Sequence, residues 1–277
     1  MLTELFAHLL DSRVLLDSQV MLGLLQAVAA ILLCLGVVAL CRHYGVRVGQ
    51  ETSVSLLRGL VQMALVGVVL GLLLKGGALI AALILFGMMV AAAWTAARRL
   101  PEVDGSLYLS FLAIGAGAGT VILFMVLIRA LDTQLAILVP VGSMIIANSM
   151  NACAQAMERF KSDVLAHVGP IEAALCLGAT SDVTVAPYVQ SAVYASLLPR
   201  LDMLKSLGLV WIPGVMAGMM VSGASPLYAG IFQFIIVAMI LAASGISGAV
   251  AIALLRRRVF TPAYQLRLRP AAHETAS

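Results

Sequence analysis

The sequence predicts an all-α integral membrane protein of about seven transmembrane helices, N-terminus outside and C-terminus cytoplasmic, with a cytoplasmic coupling-helix region. Three observations predict it. Hydrophobic residues make up 62% of the chain and charged residues 11%, where a soluble domain carries about half and about a quarter. One small core cannot bury that much apolar surface, so lipid must solvate it. Crossing about 30 Å of hydrocarbon takes about 20 apolar residues in a helix, and seven runs approach that length. The lysines and arginines, finally, segregate between alternate connections.

In order, the runs are Ser18–Cys41, Gly59–Leu74, Gly77–Ala97, Gly105–Ile128, Thr133–Met157, Ser206–Gly223 and Pro226–Leu255. They divide the chain into an N-terminal interfacial segment (1–17), a transmembrane domain (18–257) and a basic cytoplasmic tail (258–277). Leu2, Leu5, Phe6, Leu9 and Leu10 recur at helical spacing in the first segment, which suits a helix lying in the interface. With seven crossings, fourteen lysines and arginines fall on one side and only Arg13, Lys75 and Arg129 on the other. Cytoplasmic loops hold such an excess, which sets the orientation.

The connection from Glu158 to Lys205 is unlike the others. It is 48 residues of mixed polarity, interrupted by Gly169-Pro170, Pro187 and Pro199. The expectation is a set of short amphipathic helices (coupling region 158–205) at the cytoplasmic surface, open to a partner.

None of the seven runs contains Asp, Glu, Lys, Arg or His. Proton-coupled transporters carry ionisable groups inside the membrane, and intramembrane enzymes need a nucleophile, acid, base or metal ligands. Neither pattern is present, nor is a GxxxxGK[ST] phosphate loop. No enzyme activity or bound cofactor is expected of this chain, and its sparse charge does not suit nucleic acid. Passive flow, or energy delivered by another subunit, remains.

The polar residues within the spans cluster. Met144, Asn148, Asn151 and Gln155 follow i, i+4, i+7, i+11 and share one face of the fifth run. The face is expected to look inward. It is either a pathway wall offering oxygen and thioether ligands to a cation, or interhelical glue. Gln62, one turn after Arg58, and Gln233, early in the last run, are further pathway candidates, although packing is the simpler explanation of each alone. The 14 methionines include Met216, Met219 and Met220, which could meet a soft metal or fill gaps. Gly67/Gly71 and Gly115/Gly119, with Gly117 between the latter, would let helices approach closely. Pro140 and Pro213 should kink or interrupt their spans. Four cysteines without CxxC spacing read as small apolar residues.

Several of these residues fall in a pattern that resembles the FetB (YbbM) permeases, the membrane subunits of an ABC transporter associated with iron export. Arg58, Gln62 and Gly67 match the second span; Pro140 to Ala152 (PVGSMIIANSMNA) matches the fifth; Ile171 to Ala179 (IEAALCLGA) matches the coupling region. Gly208-Leu209-Val210, Pro213-Gly214, Met216, Gly218, Gly223, Ser225-Pro226 and Gln233 follow the closing motif. The resemblance runs from about Ser55 to Leu255. It departs from the pattern at Ala147, where Gly is common, and at Met219, where relatives often carry Gln.

The resemblance implies a metal-exporting permease of the bacterial inner membrane, acting in metal homeostasis as a homodimer in the lipid bilayer. A separate cytoplasmic ATPase of the FetA kind would hold ATP and Mg. Glu172, Ala173, Ala174 and Gly178 would form the ATPase-coupling site, by analogy with the EAA loop of ABC importers. Plant relatives tied to a nucleotide sugar keep another substrate open. A stand-alone channel or secondary transporter for a small ion or polar solute is the alternative from a different class.

Overall fold

The computed structural model of the protein describes residues 18–45, 49–73, 77–132, 134–261 and 265–266. The expected interfacial segment (1–17) and most of the tail lie outside them. The described residues are helical throughout, joined by short turns, and fall into two compact units divided between Lys75 and Gly76.

The first unit is a pair of packed helices, α1 (Ser18–His43) and α2 (Gly49–Leu73). Helix α1 is apolar all round, and Arg42 and His43 in its last turn complement the helix dipole. Its Leu25, Leu32 and Leu33 are exposed, which suits lipid as solvent. In α2 the apolar stretch, Val54–Gly67, is shorter.

The second unit is a helical bundle. Helix α3 (Ala78–Ala97) buries Ala81, Ala92, Ala93 and Ala96, small side chains that let backbones come close where lipid offers no hydrophobic drive. The fourth span is α4 (Ser106–Ile114) and α5 (Thr120–Leu127), joined without a break by a π-helical turn at Gly115–Gly119. Close packing here falls on Gly117 and not on the predicted pair. A Cβ at Gly117 would collide with the Ser247 hydroxyl and the Ala243 carbonyl, whereas Gly119 faces open space. The wide π-turn carries the Gly117 backbone against the last helix.

Helix α6 (Leu135–Ala166) is the longest, at 32 residues. Pro140, its sixth residue, stays inside it and does not interrupt it. The short α7 (Val168–Cys176) follows, then α8 (Ser181–Ser206), the eight-residue α9 (Gly214–Val221) and α10 (Pro226–Arg256). Pro226 occupies the first turn of α10 and the Ser225 hydroxyl caps it, accepting from the Tyr228 N–H.

Among the described residues, five helical segments are long and apolar enough to cross a membrane: Met21–His43, Ala78–Ala97, Ser106–Leu127, Ile137–Ala166 and Pro226–Arg256. Two sequence expectations change. The run Ser206–Gly223 is not a membrane-length helix. Gly208 and Gly223 adopt positive φ, the second just beyond α9, and Pro213 sits at its N-cap; eight residues reach only about 12 Å.

The region 158–205 is likewise not a set of short helices. Helix α6 runs on through it to Ala166, and α8 is continuous over 26 residues through Pro187 and Pro199. Its buried residues Val185, Ala192, Ser196 and Arg200 form one face, packed against both α6 and α10. Those neighbours hold the helix where isolated prolines would break it.

Ion pairs gather at one end of the bundle. Arg99 meets Glu158 at 3.2 Å, Lys161 meets Glu102 at 2.7 Å and Arg256 meets Asp182 at 3.6 Å. The Arg258 guanidinium donates to the Asp104 carbonyl. Together they tie the α3–α4 connection, the foot of α6, the start of α8 and the end of α10. Arg98 lies over the Trp94 ring at 3.9 Å, an amphipathic pair of the sort found at a membrane boundary.

Candidate substrate pathway and coupling helix

The polar face of α6 exists, but it is turned away from the helix's core side. Ile145, Ser149, Ala152, Cys153 and Ala156 are among the buried positions, whereas Met144 and Asn148 are half-buried and Asn151 and Gln155 exposed. The expectation that this face looks inward is therefore corrected: it borders α8. The Asn148 amide is engaged locally, its Nδ2 donating to the Met144 carbonyl at 2.9 Å.

Arg200 of α8 reaches this face. Its Nη2 donates to the main-chain oxygen of Asn148 at 3.1 Å and its Nη1 to Gln155 Oε1 at 3.4 Å. The side chain is buried, 6% exposed, and its Nε has no partner among the described residues. Asn148 lies eleven residues after the start of the α6 span at Ile137, and Gln155 eleven before its end at Ala166. The guanidinium thus sits beside the midpoint of this 30-residue segment, about 22 Å from either end. Sequence reading counted Arg200 among the charges of the 158–205 connection and did not join it to this face. The available signal was the i, i+4 spacing of Ala192, Ser196 and Arg200, with small residues preceding the arginine.

Other buried polar groups surround the contact between α6, α8 and α10. Ser244 Oγ donates to the same Asn148 oxygen at 3.5 Å, and Ser196 packs against Gly248, where a Cβ would lie 2.8 Å from its hydroxyl. The hydroxyls of Ser149 and Ser247 lack partners among the described residues. Gln233 is 2% exposed, its Oε1 without a partner among the described residues. It lies eleven residues before Ser244 on α10, about 16 Å along the axis, so the structure does not bring it to Asn148. Gln62 is exposed on α2 of the first unit.

Away from the ion-pair end, a cavity of about 870 Å³ opens where α5, α6, α9 and α10 converge, lined by Arg129, Asp132, Pro140, Met219, Tyr228 and Phe232 among others. Pro140 lies one turn before Met144, where the polar face begins. No group of three or more His, Cys, Asp and Glu side chains suited to a metal occurs among the described residues.

The predicted coupling residues lie on α7 and the turn after it. Ile171 anchors α7 in the bundle, and His167, at its N-cap, stacks on Tyr188 with ring centroids 5.0 Å apart. Glu172, Ala173, Leu177 and Gly178 are exposed, Leu177 at 89%, and Ala174 is half-buried. Gly178 has φ +90 and donates to Leu175 O, while Ala179 N donates to Ala174 O. This is a Schellman stop, in which glycine takes the left-handed position. Of the cysteines, Cys153 is buried, Cys34 and Cys41 are half-buried and Cys176 is exposed on α7.

Membrane-length apolar helices around a polar seam define a multi-pass integral membrane protein. The chain belongs to the Uncharacterised protein family UPF0014, whose family model matches residues 24–260. It is 30% identical over 248 residues to "Protein ALUMINUM SENSITIVE 3" of Arabidopsis thaliana, covering 88% of this chain and 90% of the relative. It is 30% identical to "UPF0014 membrane protein STAR2" of Oryza sativa subsp. japonica, covering 89% and 87%. It is 28% identical to "Probable iron export permease protein FetB" of Escherichia coli K12, covering 86% and 93%. No solved structure matches the chain.

Proposed function

We propose that this protein is the permease subunit of an ATP-driven transporter and that a separate cytoplasmic ATPase docks on α7. One observation carries the reading. A short, exposed helix is held between two long bundle helices, at the end where the basic residues gather. Movement of α7 is transmitted to α6 and α8, and those two helices border the polar seam. ATP shifts the bundle between inward- and outward-open states only by differing in its affinity for them, through the partner. The printed name of the E. coli relative, a probable iron export permease, supports the permease part of the reading and offers iron as a cargo.

The topology follows on the same reading. Helix α8 takes the place of the run Ser206–Gly223 as the sixth crossing, alongside α1, α2, α3, α4–α5, α6 and α10. The count stays odd, so the N-terminus remains outside and α7 and the C-terminus cytoplasmic. Arg200 does not revive proton coupling, because a guanidinium does not deprotonate in proteins.

Affinity purification from the native membrane tests the docking. A P-loop ATPase without membrane spans should co-purify, and Glu172→Lys or Leu177→Asp should release it. An unchanged yield of ATPase with both variants contradicts the site.

A further inference from the structure

We propose that the seam between α6 and α8 is an oxyanion site, so that the solute handled here is a multiply charged carboxylate or phosphate compound, and a metal passes only inside an anionic complex. This rests on the permease reading and names the class of its cargo.

The argument begins with the charge. A guanidinium carries five N–H donors and a permanent positive charge. Arg200 uses one donor on the Asn148 carbonyl and one on Gln155, leaving Nε and half of each terminal nitrogen unused. No carboxylate pairs with it among the described residues; the nearest in sequence, Asp202, pairs with Lys205. An arginine at such depth is costly and ordinarily meets a carboxylate or marks a solute path. The exposed Asn151 and Gln155 beside it leave the seam open on one side of the second unit.

The sign of that charge selects the solute. A fixed cation repels a bare metal ion wherever the dielectric is low. The unused edge of the fork matches two oxygens of a carboxylate or phosphate. Neutral amides at Asn151 and Gln155 add hydrogen-bonding capacity without opposing charge. The absence of a His, Cys, Asp or Glu ligand cluster among the described residues agrees with a path that does not strip a metal of its ligands.

Asn151 lies between Asn148 and Gln155 on the same face, so a thiol there reports the local potential. The four native cysteines are first replaced, and Asn151→Cys is introduced in the full-length protein in membrane vesicles. Anionic and cationic methanethiosulfonates are compared, each rate normalised to a free thiol. The anionic reagent should be favoured by at least about 10-fold, and Arg200→Gln should bring the ratio to about one while Arg200→Lys keeps most of it. Citrate or pyrophosphate should slow the anionic reagent, and which of them does so separates carboxylate from phosphate. A cationic preference, a ratio unmoved by Arg200→Gln, protection by neither anion, or a thiol that neither reagent reaches would each overturn the proposal. The measurement needs no ATPase, so it can fail while ATPase co-purification succeeds, and the reverse.

Discussion

Arg200 of α8 donates through Nη2 to the backbone oxygen of Asn148 at 3.1 Å, next to the midpoint of the longest helix. A buried charge without a counter-charge among the described residues is a cost that folding alone would not retain. Replacing such groups with apolar side chains is often neutral or stabilising by about 1–4 kcal/mol. Arg200→Met should therefore leave the thermal unfolding midpoint in detergent unchanged or raise it by a few degrees, while transport falls at least about 10-fold, the trade expected of a functional residue. A lower midpoint with transport retained would reduce Arg200 to a structural strut.

Gly117 and Gly119 separate packing from spacing. Gly117→Ala should destabilise the protein by about 1–3 kcal/mol, because the added methyl meets the Ala243 backbone and not only a side chain that can swing aside. Gly119→Ala faces open space and should be neutral or slightly stabilising. Thermal unfolding of the two single variants decides the matter; equal effects would mean that the π-turn does not set this contact.

At the coupling helix, Gly178→Ala forces a β-carbon into a φ of +90 and should cost about 1 kcal/mol. Its main consequence should be weaker ATPase binding with the bundle intact, because the stop it forms sets where α7 ends. Far-UV circular dichroism together with co-purification checks both parts.

The two asparagines should behave differently. Asn148 spends its amide on its own helix, so Asn148→Leu should change transport less than Asn151→Leu, whose side chain is exposed beside the seam. Both should bind the ATPase normally. Flux assays on the pair test this, and an unchanged Asn151→Leu would return that face to packing.

Composition alone made the membrane class legible, because apolar excess and the periodicity of long helices survive without tertiary knowledge. The i, i+4, i+7, i+11 spacing located the polar face of α6 but not its direction, which depends on which neighbour covers each side. Helix α8 was illegible for a specific reason. Its polarity and two prolines imitate a loop, and only contact with α6 and α10 reveals it as a packed helix. Ser206–Gly223 erred the other way: its apolar composition imitates a span, while Gly208, Pro213 and Gly223 turn the chain. Arg200 was hidden by the first of these errors.

On the proposed function, the bundle is driven through α7 by a separate ATPase. Purified protein should be reconstituted in liposomes with and without its co-purifying ATPase, and accumulation of a labelled solute against its gradient followed on adding ATP. The account predicts uphill movement only with both the ATPase and ATP, abolished by Leu177→Asp. Uphill movement by this chain alone would contradict it.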